Sequence, residues 1–240
     1  VWVLKFLTGS KTKWHLRREH LRPQAKVVLP ALALGASPFI MQSTESLITV
    51  CFNSSLLKYG GDIAVGAMTV LSSIMQFAMM PLQGLTQGAQ PIVSYNYGAA
   101  RLDRVKKTVK LTIITATAIM AVGFLIFQLF PDTLLNFFDA SESMLTIGKP
   151  ALRIISLCFL FAGFNIICSS TFQALGNGLL SMMISIVRQL LILLPAAFFL
   201  SLSGSVTAVW WAFPIAELAS LALCVIFLRR IYRRVILPLE

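Results

Sequence analysis

Two glutamates sit where the chain is otherwise most apolar. Glu45 lies in the run from about Val28 to Leu57, and Glu217 lies in "FPIAELAS" within the run from Val206 to Leu228. A carboxylate near the centre of a bilayer costs ~2.5–3.5 kcal/mol on insertion scales, so an acid at that depth is a functional candidate. It can hold a proton or a cation and let it go. The competing reading is structural: an ion pair, or a neutral acid fixed by hydrogen bonds. Arg188 lies inside the run from Leu179 to Leu200. Measured from the same membrane face at ~1.5 Å per residue, Arg188 lies roughly 14 Å deep and Glu217 roughly 17 Å. Two readings stay open: an Arg188–Glu217 bridge, or Glu217 as a second protonation site beside Glu45.

The amides form longer patterns. Thr69, Ser72, Gln76, Gln83, Gln87 and Gln90 recur at steps of three, four and seven, with Met75, Met79 and Met80 nearby. On a helix such steps share one face. Gln42, Ser46, Thr49 and Asn53 repeat the pattern beside Glu45. A single polar pair is ordinary glue between helices, worth ~0.6 kcal/mol on average. A stripe this long points to the wall of a wet cleft, with glutamines for adaptable hydrogen bonds and methionines for soft apolar contact. Asn165, Ser169 and Gln173 form a weaker set, read as packing with Asn165 also a cleft candidate; Ser181 and Ser185 share a face with Arg188. Pro81, in the middle of the longest stripe, is expected to kink its helix. Nothing assembles a catalyst. There is no phosphate loop and no Ser/His/Asp set, and His15 and His20 both fall in a basic stretch. Cys51, Cys158, Cys168 and Cys224 each stand in an apolar run and none forms CxxC, which argues against a disulfide framework, a metal site or an enzyme.

These residues must be positioned by membrane helices. Hydrophobic residues make up 57% of the chain and charged ones 12%, far from the balance of a soluble domain. Six apolar segments are long enough to span: about 28–57, 63–94, 105–130, 145–175, 179–200 and 206–228. Turn residues separate them in "KYGGD", "NYGAARLD", "PDTLLNFFDASES", "GNG" and "LSGS", with Gly176 and Gly178 suited to left-handed caps. Connections this short make neighbouring spans alternate in direction. Alternation then sorts the charge. Lys5, Lys11, Lys13, Arg17, Arg18, Arg22 and Lys26 precede the first span; Arg101, Arg104, Lys106, Lys107 and Lys110 follow the second; Arg229, Arg230, Arg233 and Arg234 close the chain. These sixteen of the 20 basic residues share one side, which the positive-inside rule makes cytoplasmic. The net charge of +11 is therefore topogenic, with lipid rather than nucleic acid as the partner. The expected organisation is a helix end and basic linker over 1–27, a six-helix lobe over 28–228, and a basic tail over 229–240. The opening "VWVLKFL" reads as the end of a preceding helix. With no initiator Met and no signal-peptide pattern, the sequence is expected to be a fragment or the C-terminal part of a longer protein.

"PLQGLTQGAQPIVSYNYGA", Pro81 to Ala99, resembles the signature that closes a polar helix in multidrug and toxic compound extrusion (MATE) transporters. "FQALGNG", "SIVRQLLILLPAAFFL" and "VWWAFPIAELAS" are similar to later helices of the same family, in the right order and nearest its MepA-type bacterial branch. The resemblance implies an all-α integral membrane fold, with this chain as one six-helix lobe of a twelve-helix transporter. It implies an N-terminal six-helix lobe as partner, a substrate cleft between the lobes, and H⁺ or Na⁺ as coupling ion with no other cofactor. The expected function is export of amphipathic, mostly cationic small-molecule drugs across the bacterial inner membrane. A flippase for lipid-linked saccharide or peptidoglycan precursor is the alternative. Glu45 falls where many members carry a seventh-helix acid. An aspartate that some Na⁺-coupled members carry in the tenth helix is absent, and Asn165 and Ser169 are the nearest polar residues.

Overall fold

The computed structural model describes residues 2, 5, 6, 24–138, 141–202 and 204–232. The basic linker over 7–23 and the tail from 233 lie outside the described residues. Among the described residues every extended element is helical.

The first helical stretch, Ala25–Gly98, breaks at Gly61, where φ 65° and ψ −166° leave the helical region. That combination is open essentially to glycine alone, which is why the break falls in "KYGGD". It divides the stretch into α1 (residues 25–60) and α2 (Gly61–Gly98). Then come α3 (Leu102–Leu129), a short α4 (Pro131–Asn136), α5 (Glu142–Ser156) and α6 (Phe159–Ala174). The last part holds α7 (Gly178–Ile186), a π-helical turn (Val187–Leu193), α8 (Leu194–Ser201), α9 (Val206–Trp210) and α10 (Ala212–Ile231). Among the described residues, four segments are long and apolar enough to cross a bilayer: Gly61–Gly98, Leu102–Leu129, Gly178–Ser201 and Thr207–Ile231. Helices α5 and α6 make a fifth when taken as one span, and α1 is the helix of the first apolar run.

The backbone of α2 keeps helical angles through Pro81, and the sharp break is at Gly61. Pro81 is exposed and follows a face carrying exposed Phe77, so the carbonyl it leaves unbonded lies at the surface of the lobe rather than in its core. Two expectations need correction. The 145–175 run is not one straight span, because α5 and α6 meet at 53°. There the Leu157 and Cys158 amides donate three residues back, to Ile154 and Ile155. The Arg153 carbonyl loses its helical partner and accepts instead from Gln128 Nε2 of α3 at 3.0 Å, which also donates to Ser156 Oγ at 3.0 Å. Finally, of the two glycines in "GNG", Gly176 has the left-handed φ of 78°, whereas Gly178 opens α7.

Packing follows membrane rules. Lipid tails are as apolar as leucine, so helices associate through close fit rather than exclusion of water. Ala116 and Ala162 are buried, and Gly163 lies so near α3 that an added Cβ would stand 3.1 Å from the Ala116 carbonyl oxygen. One cluster joins α2, α3, α5 and α6 through Leu71, Ile74, Met120, Phe127, Leu152 and Phe159. A second, through Ile48, Phe52, Leu193, Val209 and Ala216, binds α1 to the last helices. Phe39, Val50, Phe77, Val122, Leu125 and Phe199 are exposed, as expected of a surface solvated by hydrocarbon.

The turn after α2 carries a testable strain. Arg101 N–H donates to Asn96 O at 2.8 Å, and this closure holds Ala100 at φ 54°. A side chain in that region costs about 1–2 kcal/mol, and helix ends of this geometry ordinarily use glycine. Ala100→Gly is expected to stabilise the protein by about 0.5–1 kcal/mol, read as a higher midpoint of thermal unfolding in detergent.

Candidate functional site

The polar residues converge on a cavity of about 380 Å³ inside the lobe. Glu45 reaches it from α1, and Met79, Thr86 and Gln90 from α2. Asn165, Ser169 and Gln173 come from α6, Ser185 and Arg188 from α7 and the π turn, Glu217 and Ser220 from α10.

Its charged centre is a triad in which Asn165 and Glu217 are buried and Arg188 is half-buried. Arg188 Nη1 donates to Glu217 Oε1 at 2.8 Å. Asn165 Nδ2 donates to Glu217 Oε2 at 2.7 Å and to the Glu217 backbone carbonyl at 3.1 Å. Both carboxylate oxygens are thus engaged from two different helices. Arg188 stands in the π turn Val187–Leu193, an irregularity that recurs at functional positions. Pro195 follows and has no N–H to offer the carbonyl a turn back, so a regular α-ladder could not be completed there. A second polar group lies towards the α6–α7 turn. Gln173 Nε2 donates to Ser181 Oγ at 2.8 Å, Ser169 and Ser181 hydroxyls share a short hydrogen bond, and Met41 Sδ lies against Ser181.

Glu45 is different. It is exposed along the flank of α1, and among the described residues its side-chain partner is the Gln189 amide, donating at 3.4 Å. Three buried atoms of this region, Asn165 Oδ1, Ser185 Oγ and Gln189 Oε1, have no hydrogen-bond partner. A buried polar atom left unpaired is costly. Asn165 and Ser185 line the cavity, and their unpaired atoms mark a wall suited to water, an ion or a polar ligand.

The MatE family model matches residues 38–199. The chain belongs to this family. Among curated proteins it is similar to the multidrug export protein MepA of Staphylococcus haemolyticus (strain JCSC1435), 23% identical over 199 residues, 83% of this chain and 43% of that protein. MepA of Staphylococcus saprophyticus is 23% identical over 213 residues, covering 88% of this chain and 47% of that one. Among solved structures, the MATE multidrug transporter DinF-BH is 34% identical with a TM-score of 0.85, over 96% of this chain and 52% of that one. A MOP superfamily transporter from Pyrococcus furiosus shares the fold, with a TM-score of 0.86 at 19% identity over 95% of this chain and 52% of that one. The chain therefore spans about half the length of the proteins it matches.

Within this MatE lobe the residues singled out by the sequence fall into two groups. Glu45, Met79, Asn165, Arg188 and Glu217 line the cavity. Gln42, Thr49, Asn53, Met75, Gln76, Gln83 and Gln87 do not. Gln42, Thr49, Gln76, Gln83 and Gln87 are exposed on the helices, and Asn53 and Met75 are half-buried. On α2 the exposed surface splits into a polar flank with Thr69, Ser72, Gln76, Gln83 and Gln87 and an apolar flank with Ile63, Phe77, Ile92 and Tyr95. On α1 the polar flank with Gln42, Ser46 and Thr49 likewise adjoins Glu45, while Phe39, Leu47 and Val50 face elsewhere. Sequence reading missed Met41, Thr86, Ser220 and Gln189. The first three are ordinary residues in an apolar helix; Gln189 had one signal, its place beside Arg188.

Proposed function

We propose that this lobe forms one wall of an ion-coupled exporter of amphipathic, mostly cationic drugs, working across a cleft with a second six-helix lobe. The observation that carries the reading is the charge balance of the cavity. Two carboxylates and one guanidinium line it, and the guanidinium is neutralised by Glu217. Glu45 is left as the carboxylate that meets the cavity with no more than an amide beside it among the described residues. The polar flanks of α1 and α2 extend from it along the uncovered face, where a drug of mixed polarity finds amides and thioethers. The names of the relatives, multidrug export protein and multidrug transporter, agree with that substrate class.

The mechanism follows from competition. Glu45 holds either the drug cation or the coupling ion, H⁺ or Na⁺, and the ion arriving from outside displaces the drug. Transport of this kind makes and breaks no covalent bond, so no cofactor beyond the ion is invoked. The membrane is the bacterial inner membrane, with the basic loops and tail on the cytoplasmic side. Flipping of a lipid-linked pyrophosphate would need free cationic side chains in the cleft, and Arg188 is already bound to Glu217.

The test is made with the two-lobe protein in liposomes. An outward drug flux is expected for a lipophilic cationic dye under an imposed H⁺ or Na⁺ gradient, with none for a lipid-linked pyrophosphate. Movement of the pyrophosphate lipid without movement of the dye would overturn the reading. Repeating the dye assay with Na⁺ removed at a fixed pH gradient identifies the ion.

A further inference from the structure

A second cavity, of about 320 Å³, opens at the other side of the lobe between α3, α6 and α10. It shares no lining residue with the site around Glu45 and Glu217. Its two ends differ in chemistry. Lys106 and Lys110 stand one turn apart on α3, with Cβ atoms about 6 Å from one another. Lys106 Nζ lies 5.3 Å above the ring of Tyr232, the residue that follows α10 and also lines the groove. Below them the wall is aliphatic, through Val109, Ile113 and Ile114 on α3 and Leu228 and Ile231 on α10. The one deeper polar side chain, Thr171, donates its hydroxyl to the Ile167 carbonyl at 2.7 Å and so presents its methyl group. The mouth lies where α3 begins and α6 and α10 end, the side on which the basic residues gather. Lys107, Arg229 and Arg230 are exposed at the same level but do not line the groove.

We propose that this groove binds an anionic phospholipid of the cytoplasmic leaflet, with the headgroup phosphate on Lys106 and Lys110 and an acyl chain along Val109, Ile113 and Ile114. Both halves of the ligand are matched: two ammonium groups for a phosphate, and a dry channel running down from them into the hydrocarbon layer. A free phosphate uses the mouth alone and gains nothing from the channel. A zwitterionic lipid fills the channel but brings a choline charge towards the lysines. The selectivity is therefore for negative charge on a lipid. This site lies apart from the proposed drug path, so lipid binding is measurable whether or not the protein exports drugs.

The experiment is native mass spectrometry of the complete protein in detergent, titrated with phosphatidylglycerol or phosphatidylcholine and, separately, with glycerol phosphate as the headgroup without chains. Phosphatidylglycerol is expected to bind on the order of tenfold more tightly than phosphatidylcholine, and glycerol phosphate at equal concentration should not displace it. The pair K106Q/K110Q should lose that preference, and K110Q alone, at an exposed position, should lose part of it. The control K107Q/R230Q removes the same charge from outside the groove and should keep it. Equal binding of the two lipids, displacement by glycerol phosphate, or an equal loss in K107Q/R230Q would overturn the proposal.

Discussion

Glu45→Gln in the two-lobe protein is expected to bring ion-driven efflux of a lipophilic cation down to the rate of protein-free liposomes, with folding unchanged. The two halves of that expectation have separate causes. Glutamine keeps the size and hydrogen-bonding shape of the side chain but can carry neither a proton nor a counter-charge. Ion and drug then no longer compete for one group, and the exchange that links their fluxes disappears. Stability is spared because Glu45 is exposed on the flank of α1 and its partner is a 3.4 Å contact from Gln189. A substitution at such a position ordinarily shifts stability by no more than about 0.5 kcal/mol. The measurement pairs dye efflux with equilibrium dye binding. Affinity for the cationic dye should fall roughly tenfold or more, as loss of a charge partner in a desolvated site does, while a neutral dye of the same shape is held as before. Glu45→Asp, which restores the charge on a shorter stem, should recover part of both. Wild-type efflux by Glu45→Gln would remove this residue from the mechanism.

How much of this was legible in the chain depends on the scale of the signal. Span limits are set by turn residues and by runs of about 20 apolar positions, both local, and the helices largely follow those runs. Gly61 shows the turn signal at its clearest, since no other residue type adopts its backbone angles at low cost. The bend between α5 and α6 was not legible. The freed Arg153 carbonyl accepts from Ser156 in α5 itself and from Gln128, 25 residues away on α3, and the second contact lies outside any window over α5 and α6. At Pro81 the helix continues, held on its buried side by Leu71, Ile74 and Leu82. The polar periodicities were legible as faces, but not as what each face meets. Steps of three and four place Gln76, Gln83 and Gln87 together, yet whether they line a cavity within the lobe or its outer flank depends on how α1, α6 and α10 pack. The structure puts them on the exposed polar flank of α2, and the cavity within the lobe takes Gln90 from the same stripe together with Thr86 and Ser220, whose types carry no such signal.

Arg188→Met tests whether the triad at the base of the cavity holds the fold, the cycle, or both. The Glu217 side chain retains 12% of its exposure and Arg188 31%, so the pair is more than half buried but touches the cavity. Removing one partner of a buried pair costs ~3–5 kcal/mol, because the remaining charge is stranded. With Asn165 still donating to Glu217 and Arg188 partly open, the expected loss is at the lower end, about 3 kcal/mol, read as a large fall in the thermal midpoint. Arg188→Met/Glu217→Leu removes both charges and should regain most of that stability, since apolar replacement of a whole buried pair is often neutral. An unchanged midpoint in the single variant would mean that the pair contributes nothing to the fold. The informative measurement is then transport by the double variant. If it folds and exports at the wild-type rate, Arg188, Glu217 and Asn165 are a structural clamp that joins α6, the π turn and α10 behind Glu45. If it folds and does not export, Glu217 takes part in the ion cycle, and Arg188 is the switch that must release it. The location of Arg188 in the π turn favours the second outcome. A helix that has already given up its regular ladder at Val187–Leu193 can rotate the guanidinium away from Glu217 without first breaking a row of ordinary α-helical bonds.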